Sequence, residues 1–403
     1  MDSDDDEDGQ AGDGQGEGED EKMVVHDSSV AAFFEHKGES VFSVKLHPSY
    51  PNPPLAVSGG FDETSFIWNA DDGTPVQQLL PKHKDSVTMV GWNADGTLVA
   101  SGGMDGMINV WKKADETWQK WEHVQTLEGG DEVQFITWHP KGNVLVAGYG
   151  DATVWMWQLP KGEVMQVFSG HEEAVTAGKF TPDGKKLLTT STDGSLIIYD
   201  PRQPVGLSKL SVHDTRFYCD GGFVSLAISP DAKLAAVGSV SGESRIASLT
   251  GVDQGGGLAV VCALKGHQAG ESVEGIAFID LLGQGQVAGA GHLVTIATDG
   301  KAIVWDLTTQ KARVECVHYE GEADAEENGG ALTTVVTHNL GPFFTTASSS
   351  GTMRTWDARS GKSIAKHEGF TDGVLDADVK SDGAGGWRLV GAGDEGVALV
   401  FKC

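Results

Sequence analysis

Cysteine is scarce: the 403 residues hold four, Cys219, Cys262, Cys316 and Cys403, with no Cys-x-x-Cys pair. That spacing suggests neither a zinc site nor a disulfide framework, and it fits a reducing compartment. Proline is low at 13 residues, and no apolar run approaches the roughly 18 residues that a spanning helix needs. The N-terminus lacks the basic stretch and apolar segment of a secretory leader, so a soluble cytoplasmic protein, with nuclear residence as an alternative, is expected. Positive charge is also short, with Lys plus Arg at 29 against Asp plus Glu at 58, a net charge of −29. Direct binding to a nucleic-acid backbone or to an anionic membrane needs Lys and Arg to replace counterions, so both are disfavoured. A basic partner is the better match.

Glycine, by contrast, is abundant at 55 residues, and 11 Trp and 15 Phe are available for a core. Residues 1–22 contain eleven acids and one base without apolar periodicity. Such a segment buries too little to offset its ordering entropy, so 1–23 reads as a disordered acidic tail and 24–403 as one folded domain. Removing the acidic stretch leaves 47 acids against 28 bases, so the folded part is acidic in its own right. From residue 24 the chain becomes short alternating or apolar runs closed by Gly, Asp, Asn or Ser, the signature of strands and tight turns. Long helical periodicity is missing throughout.

An internal repeat organises these runs. An aromatic residue follows an Asp by six positions at Asp62 and Trp68, Asp105 and Trp111, Asp151 and Trp157, Asp193 and Tyr199, and Asp299 and Trp305. Degenerate copies keep the frame with Ser241 and Ala247, Ser350 and Trp356, and Glu395 and Phe401. The intervals between aromatic positions are 43, 46, 42, 48, 58, 51 and 45 residues. They lie near the ~40 to 45 residues of a four-stranded propeller blade, the longer ones carrying insertions.

The frame resembles WD-repeat proteins. Three copies carry the family's His, Ser or Thr, Asp and Trp in order: His36, Ser58, Asp62, Trp68; His83, Ser101, Asp105, Trp111; and His267, Thr295, Asp299, Trp305. The fourth has His171, Thr189 and Asp193 with Tyr199 for Trp, the third has Gly130 and Ala147 in place of His and hydroxyl, and the fifth lacks Asp and Trp. The resemblance implies that each full set forms a hydrogen-bonded chain, which lets a carboxylate and an imidazole be buried. The last copy ends after its third strand, while Val30 to His36 looks like the outer strand leading into another blade, as Val164 to His171 does. The expected architecture is therefore all-β: an eight-bladed WD-repeat β-propeller of four antiparallel strands per blade, in which the N-terminal strand completes the C-terminal blade. Seven blades follow instead if the divergent fifth copy is not one.

Catalytic signatures are lacking. No metal-binding His pair on a helix and no Gly-x-Ser-x-Gly elbow occurs, and Gly361-Lys362-Ser363 has Trp356 where a phosphate loop requires its leading Gly. Gly283 to Ala288 reads as a hairpin loop, with no helix to meet a pyrophosphate. Neither an enzyme, a cofactor nor a metal is expected, because the histidines and tryptophans occupy repeat positions. What remains is surface. The loops before each innermost strand and those between second and third strands gather on one face. They carry Glu39, Asp62, Glu63, Asp85, Asp131, Glu132, Glu172, Glu173, Asp214, Glu271, Glu274, Glu368, Asp372, Asp394 and Glu395, with five more acids between Glu320 and Glu327. Carboxylates converging on a concave mouth focus a negative potential that attracts a basic segment. Phe61, Tyr149 and Phe370 lie in or beside these loops as candidate apolar contacts.

The segments His83 to Thr88, Gly130-Asp131 with Trp138-His139-Pro140, Val154 to Gly162, Trp356 to Gly361 and Val400-Phe401 together resemble one branch of WD-repeat proteins. It is the branch of the angio-associated migratory cell protein and its fungal counterpart, the dedicated chaperone of a large-subunit ribosomal protein. The resemblance implies a monomer that captures the basic N-terminal segment of ribosomal protein uL-sixteen, formerly L-ten, during synthesis and delivers it to the pre-60S particle. It implies contacts at Asp131, Glu132, Glu172, Glu173, Glu274 and the acids near the eighth blade. A histone- or chromatin-binding propeller and a scaffold subunit of a larger complex are the alternatives.

Overall fold

The computed structural model describes residues 27–282, 291–319, 330–338 and 341–403. The acidic tail, the Gly283 to Ala288 loop and the Glu320 to Glu327 loop lie outside these residues. Thirty-two strands among the described residues build eight four-stranded antiparallel sheets. After β1 (Ala31–Phe33), blade 1 is β2–β5 (Val41–Leu46, Leu55–Gly60, Ser65–Asn69, Pro75–Leu79) and blade 2 is β6–β9 (Val87–Trp92, Leu98–Gly103, Met107–Lys113, Trp121–Glu128). Blade 3 is β10–β13 (Val133–Trp138, Val144–Tyr149, Val154–Gln158, Glu163–Phe168) and blade 4 is β14–β17 (Ala177–Phe180, Leu187–Thr190, Leu196–Tyr199, Ser208–Leu210). Blade 5 is β18–β21 (Phe223–Ile228, Leu234–Ser239, Glu243–Ser248, Ala259–Lys265) and blade 6 is β22–β25 (Gly275–Phe278, His292–Ile296, Lys301–Asp306, Lys311–Val317). Blade 7 is β26–β29 (Leu332–Thr337, Phe343–Ser348, Met353–Asp357, Lys362–His367), and blade 8 is β30–β32 (Val374–Ser381, Trp387–Gly393, Ala398–Lys402) plus β1. The divergent fifth copy is a full blade, so the number is eight.

Each blade is hydrophobic on both faces of its inner three strands because neighbouring blades cover both. The second and third strands of blade 1, LAVSGG and SFIWN, are almost wholly buried, whereas its outer strand is mostly in contact with solvent. One cluster joins Leu55, Val57 and Ile67 of blade 1 to Val87, Val90, Val99 and Trp111 of blade 2, and equivalent clusters repeat around the ring. Polar groups stitch the inner seams. Thr88 donates to the Val133 carbonyl (3.3 Å), Thr176 to that of Phe223 (2.7 Å) and Thr333 to that of Val374 (2.6 Å).

Closure uses two latches. On the outside β1 pairs with β32, Ala31 opposite Val400 and Phe33 opposite Ala398, as the sequence led one to expect. On the inside β30 sends two carboxylates to β2. Asp376 Oδ2 accepts from Lys45 Nζ (2.6 Å), Ser43 Oγ (3.0 Å) and the Val44 amide (3.1 Å), while Asp378 Oδ2 accepts from the Leu46 amide (3.0 Å). Charge-assisted bonds of this kind are about twice as strong as neutral ones.

Candidate functional site

The face that gathers the carboxylates is held by braces running from a loop before an innermost strand, through a buried imidazole, to a turn between the second and third strands. Blade 6 has the full chain: Trp305 Nε1 donates to Thr295 Oγ1 (2.9 Å), Thr295 Oγ1 to His267 Nε2 (2.8 Å), and His267 Nδ1 to Asp299 (3.1 Å). Blades 1 and 2 keep three members. His36 lies 2.9 Å from both Ser58 Oγ and Asp62, and His83 lies 2.7 Å from Ser101 Oγ and 2.9 Å from Asp105. There Trp111 Nε1 donates instead to the Leu80 carbonyl (2.8 Å), and Trp68 Nε1 has no partner among the described residues. In blade 4 His171 bonds Ser195 (2.8 Å) and Thr189 (2.7 Å), leaving Asp193 3.7 Å away. Burial pushes the Asp105 carboxyl up, but hydrogen bonds from the Lys84 amide and His83 more than offset this and hold it below the usual carboxylate range.

Blades 3 and 8 fill the imidazole's place differently. Counting back four residues from Val133, as His83 stands before Val87, the vacant position is Gly129, one residue before the Gly130 expected from sequence. A Cβ on Gly129 would lie 2.2 Å from the Tyr149 ring, so Tyr149 occupies the slot from the opposite wall. In blade 8 the slot residue is Phe370, and a Cβ on Gly391 would come within 2.9 Å of its ring. Tyr149 is 0 % and Phe370 4 % exposed. Both therefore leave the set of apolar contacts read from sequence and become core residues. Phe61, 54 % exposed, does face solvent at the same rim. The physical reason is strand alternation: Phe61 stands one residue before its turn Asp and Tyr149 two before, and one step reverses the direction of a side chain.

Glu395 needs a similar correction. It takes the place of the turn Asp in blade 8 and accepts from the Thr371 amide (2.9 Å), as Asp105 does from Lys84, so one of its oxygens serves the turn. Its other oxygen is buried without a partner among the described residues, and burial pushes its carboxyl up. Asp394 is partly covered and accepts from Ser40 Oγ (2.5 Å).

Asp131, Glu132, Glu172, Glu173, Glu63, Glu274 and Asp372 are exposed, and among the described residues none has an ion-pair partner within reach. Several cations of the same face have a carboxylate beside them: Arg216 pairs with Asp214, Lys265 with Glu243 and Lys366 with Glu368. The uncompensated charge is thus negative. Glu63 is held at φ 63°, where six other blades place Gly106, Gly194, Gly242, Gly300, Gly351 and Gly396. A left-handed non-glycine residue costs roughly 1–2 kcal/mol. Sequence reasoning missed Met104, Tyr218 and Val240, all exposed at these loops. It also missed Lys45, Lys179, Asp376 and Asp378 on innermost strands; for the two aspartates the signal was charge at every second residue of β30. Among the described residues no cluster of His, Cys, Asp and Glu could hold a metal ion.

Residues 73–112 and 162–200 match the WD domain, G-beta repeat, and residues 116–177 the anaphase-promoting complex subunit 4 WD40 domain. The human angio-associated migratory cell protein is 32% identical over 363 residues, covering 88% of this chain and 76% of the relative. The chain belongs to the angio-associated migratory cell protein family. Within reach of this family is the ribosome assembly protein SQT1 of Saccharomyces cerevisiae, 23% identical over 402 residues that cover 92% of this chain and 86% of that one. The structure of Chaetomium thermophilum Sqt1 bound to the N-terminus of the ribosomal protein L10 shares the fold, with a TM-score of 0.82 at 24% identity, covering 94% of this chain and 100% of that one.

Proposed function

We propose that the acidic loop face receives the basic N-terminal segment of the large-subunit ribosomal protein L10, or uL-sixteen, and keeps it soluble until it joins a pre-60S particle. The observation that carries this reading is the set of exposed carboxylates at Asp131, Glu132, Glu172, Glu173 and Glu274 that have no ion-pair partner among the described residues. A nascent ribosomal protein is cationic and binds RNA nonspecifically until its charge is covered. Carboxylates already fixed on a rigid ring cover it with little ordering cost on the propeller's side, and they accelerate encounter at low salt. Phe61, beside Glu63, offers apolar surface to the stem of an Arg or Lys. Support also comes from the propeller bound to the L10 N-terminus in Chaetomium thermophilum. On this reading the protein is a binding chaperone, without an enzymatic step, that meets its cargo in the cytoplasm.

The test is titration of the purified chain with a peptide of that N-terminal segment, a scrambled peptide and a histone tail of equal charge, over a salt series. Binding of the first alone at physiological salt, weakened at least 10-fold by E172K, E173K and E274K together, is expected. Equal, salt-labile binding of all three overturns the reading.

A further inference from the structure

A second surface lies on the side and opposite face of blades 3 and 4, formed by loops that take no part in the acidic face. A cavity of about 630 Å³ opens there, floored by Met156 and Phe180, walled by Met165 and rimmed by Lys185, Lys186 and Arg202. Its volume lies within the roughly 300–1,000 Å³ of built ligand pockets. Three features give it a direction. The rim carries three cations, Lys185, Lys186 and Arg202, against one lining carboxylate, Asp200, on a chain of net charge −29. Arg202 is fixed by a fork onto Asp200, with Nε to Oδ1 at 2.9 Å and Nη2 to Oδ2 at 2.7 Å, while its side chain stays 86% exposed. Lys185 reaches Asp183 only at 3.5 Å and is 77% exposed, a pairing of little strength in water.

The second feature is apolar. β13, which supplies Met165, exposes Val164, Met165 and Val167 at 52%, 48% and 36%. The third is its edge. Among the described residues β13 pairs within its sheet with β12 alone, its edge being met only past its C-terminal end by a parallel bridge from Ser169 to Val205, and Glu163 is the one charge in its sequence EVMQVF. The outer strands β25 and β29 are guarded by Lys311, Arg313 and Glu315, and by Lys362 and Lys366. Edge strands are commonly protected by such charges, and β13 is not.

We propose that this surface docks an extended protein segment with an apolar centre and acidic flanks, its apolar side chain entering the Met156, Met165 and Phe180 cavity and its carboxylates meeting Lys185, Lys186 and Arg202. Pairing along an open strand edge with alternate side chains in pockets is an established mode of peptide recognition. A basic cargo on one face and an acidic segment on another would be held at once, since the two sites share no residue.

The probe is a fluorescein-labelled peptide with a Leu-Phe-Leu centre and Asp and Glu flanks, titrated against the full chain by anisotropy, beside the same centre with Lys flanks. Binding of the acidic peptide, at least 10-fold weaker for the Lys-flanked one and at least 10-fold weaker in Met165→Asp and in the double variant Lys185→Glu with Lys186→Glu, is expected. Met165→Asp places a charge at a half-exposed position, so its unchanged melting temperature and unchanged binding on the acidic face accompany the loss. No binding, equal binding of both peptides, or binding indifferent to Met165→Asp overturns the proposal. Concentration-dependent dimerisation abolished by Met165→Asp overturns it in favour of a second copy as occupant.

Discussion

Blades 2 and 3 solve one packing problem in opposite ways. Blade 2 puts His83 before its innermost strand and leaves room with Gly103, where a Cβ would lie 2.6 Å from the His83 ring. Blade 3 exchanges the two sizes, with Gly129 on the loop and Tyr149 in the strand. The slot is filled in both, by a hydrogen-bonded imidazole in one and by an aromatic ring in the other. A motif read residue by residue scores blade 3 as degenerate. The volume is nevertheless conserved, and volume is what a close-packed interior enforces.

The sharpest way to break the comparison is Tyr149→Ala, which empties the slot with no loop side chain to refill it. A loss of about 3–5 kcal/mol is expected, the range for truncating a buried aromatic ring, read as a lower urea midpoint. Adding Gly129→His to Tyr149→Gly should recover part of that loss, because it rebuilds the blade 2 arrangement without the hydroxyl that Ala147 cannot supply. Next in size is Asp105→Asn, which weakens the carboxylate end of the blade 2 brace and is expected to cost about 1–3 kcal/mol at neutral pH. The folded pKa of Asp105 lies below its unfolded value near ~4. Its stabilisation is therefore present above that value and lost as pH falls through the folded pKa. The gap between Asp105→Asn and the parent chain should close in acid unfolding curves.

The smallest effect has the opposite sign. Glu395 stands in the same turn position, but Phe370 provides no donor, and burial pushes its carboxyl up. A raised folded pKa means that its ionisation opposes folding as pH rises through that value. Glu395→Gln is thus expected to stabilise blade 8 at neutral pH, by about 1 kcal/mol or less, with the gain vanishing in acid. A destabilised Glu395→Gln variant at neutral pH would show that the free oxygen has a partner after all.

Blade number, strand order and closure were legible in the sequence because each rests on a pattern many residues long: the Asp-to-aromatic frame and the apolar runs between glycine-closed turns. The positions of Tyr149 and Phe370 were not, since each depends on a single step of strand alternation or on a substitution inside the slot. Glu395 looked like one more surface acid. The repeat frame placed it at the turn position, but only the structure shows that one of its oxygens serves the Thr371 amide and the other is buried. Asp376 and Asp378 were visible as charges on a strand, yet their partners Ser43, Lys45 and Leu46 lie at the far end of the sequence, where no local pattern connects them.

The two latches also govern when the ring can exist. β1 and β2 wait for partners on β32 and β30, some 330 to 370 positions downstream. Joining ends so far apart costs little more than joining nearer ones, since each doubling of loop length adds only about 0.6 kcal/mol. Timing is affected far more than stability, because contacts between distant residues form late. During translation, seven blades can stack in succession while Ala31 to Phe33 has no strand to join. The loop face becomes a closed circle only when the eighth arrives: a chain interrupted before Val374 has neither latch, and one interrupted between Ser381 and Ala398 has the inner latch alone.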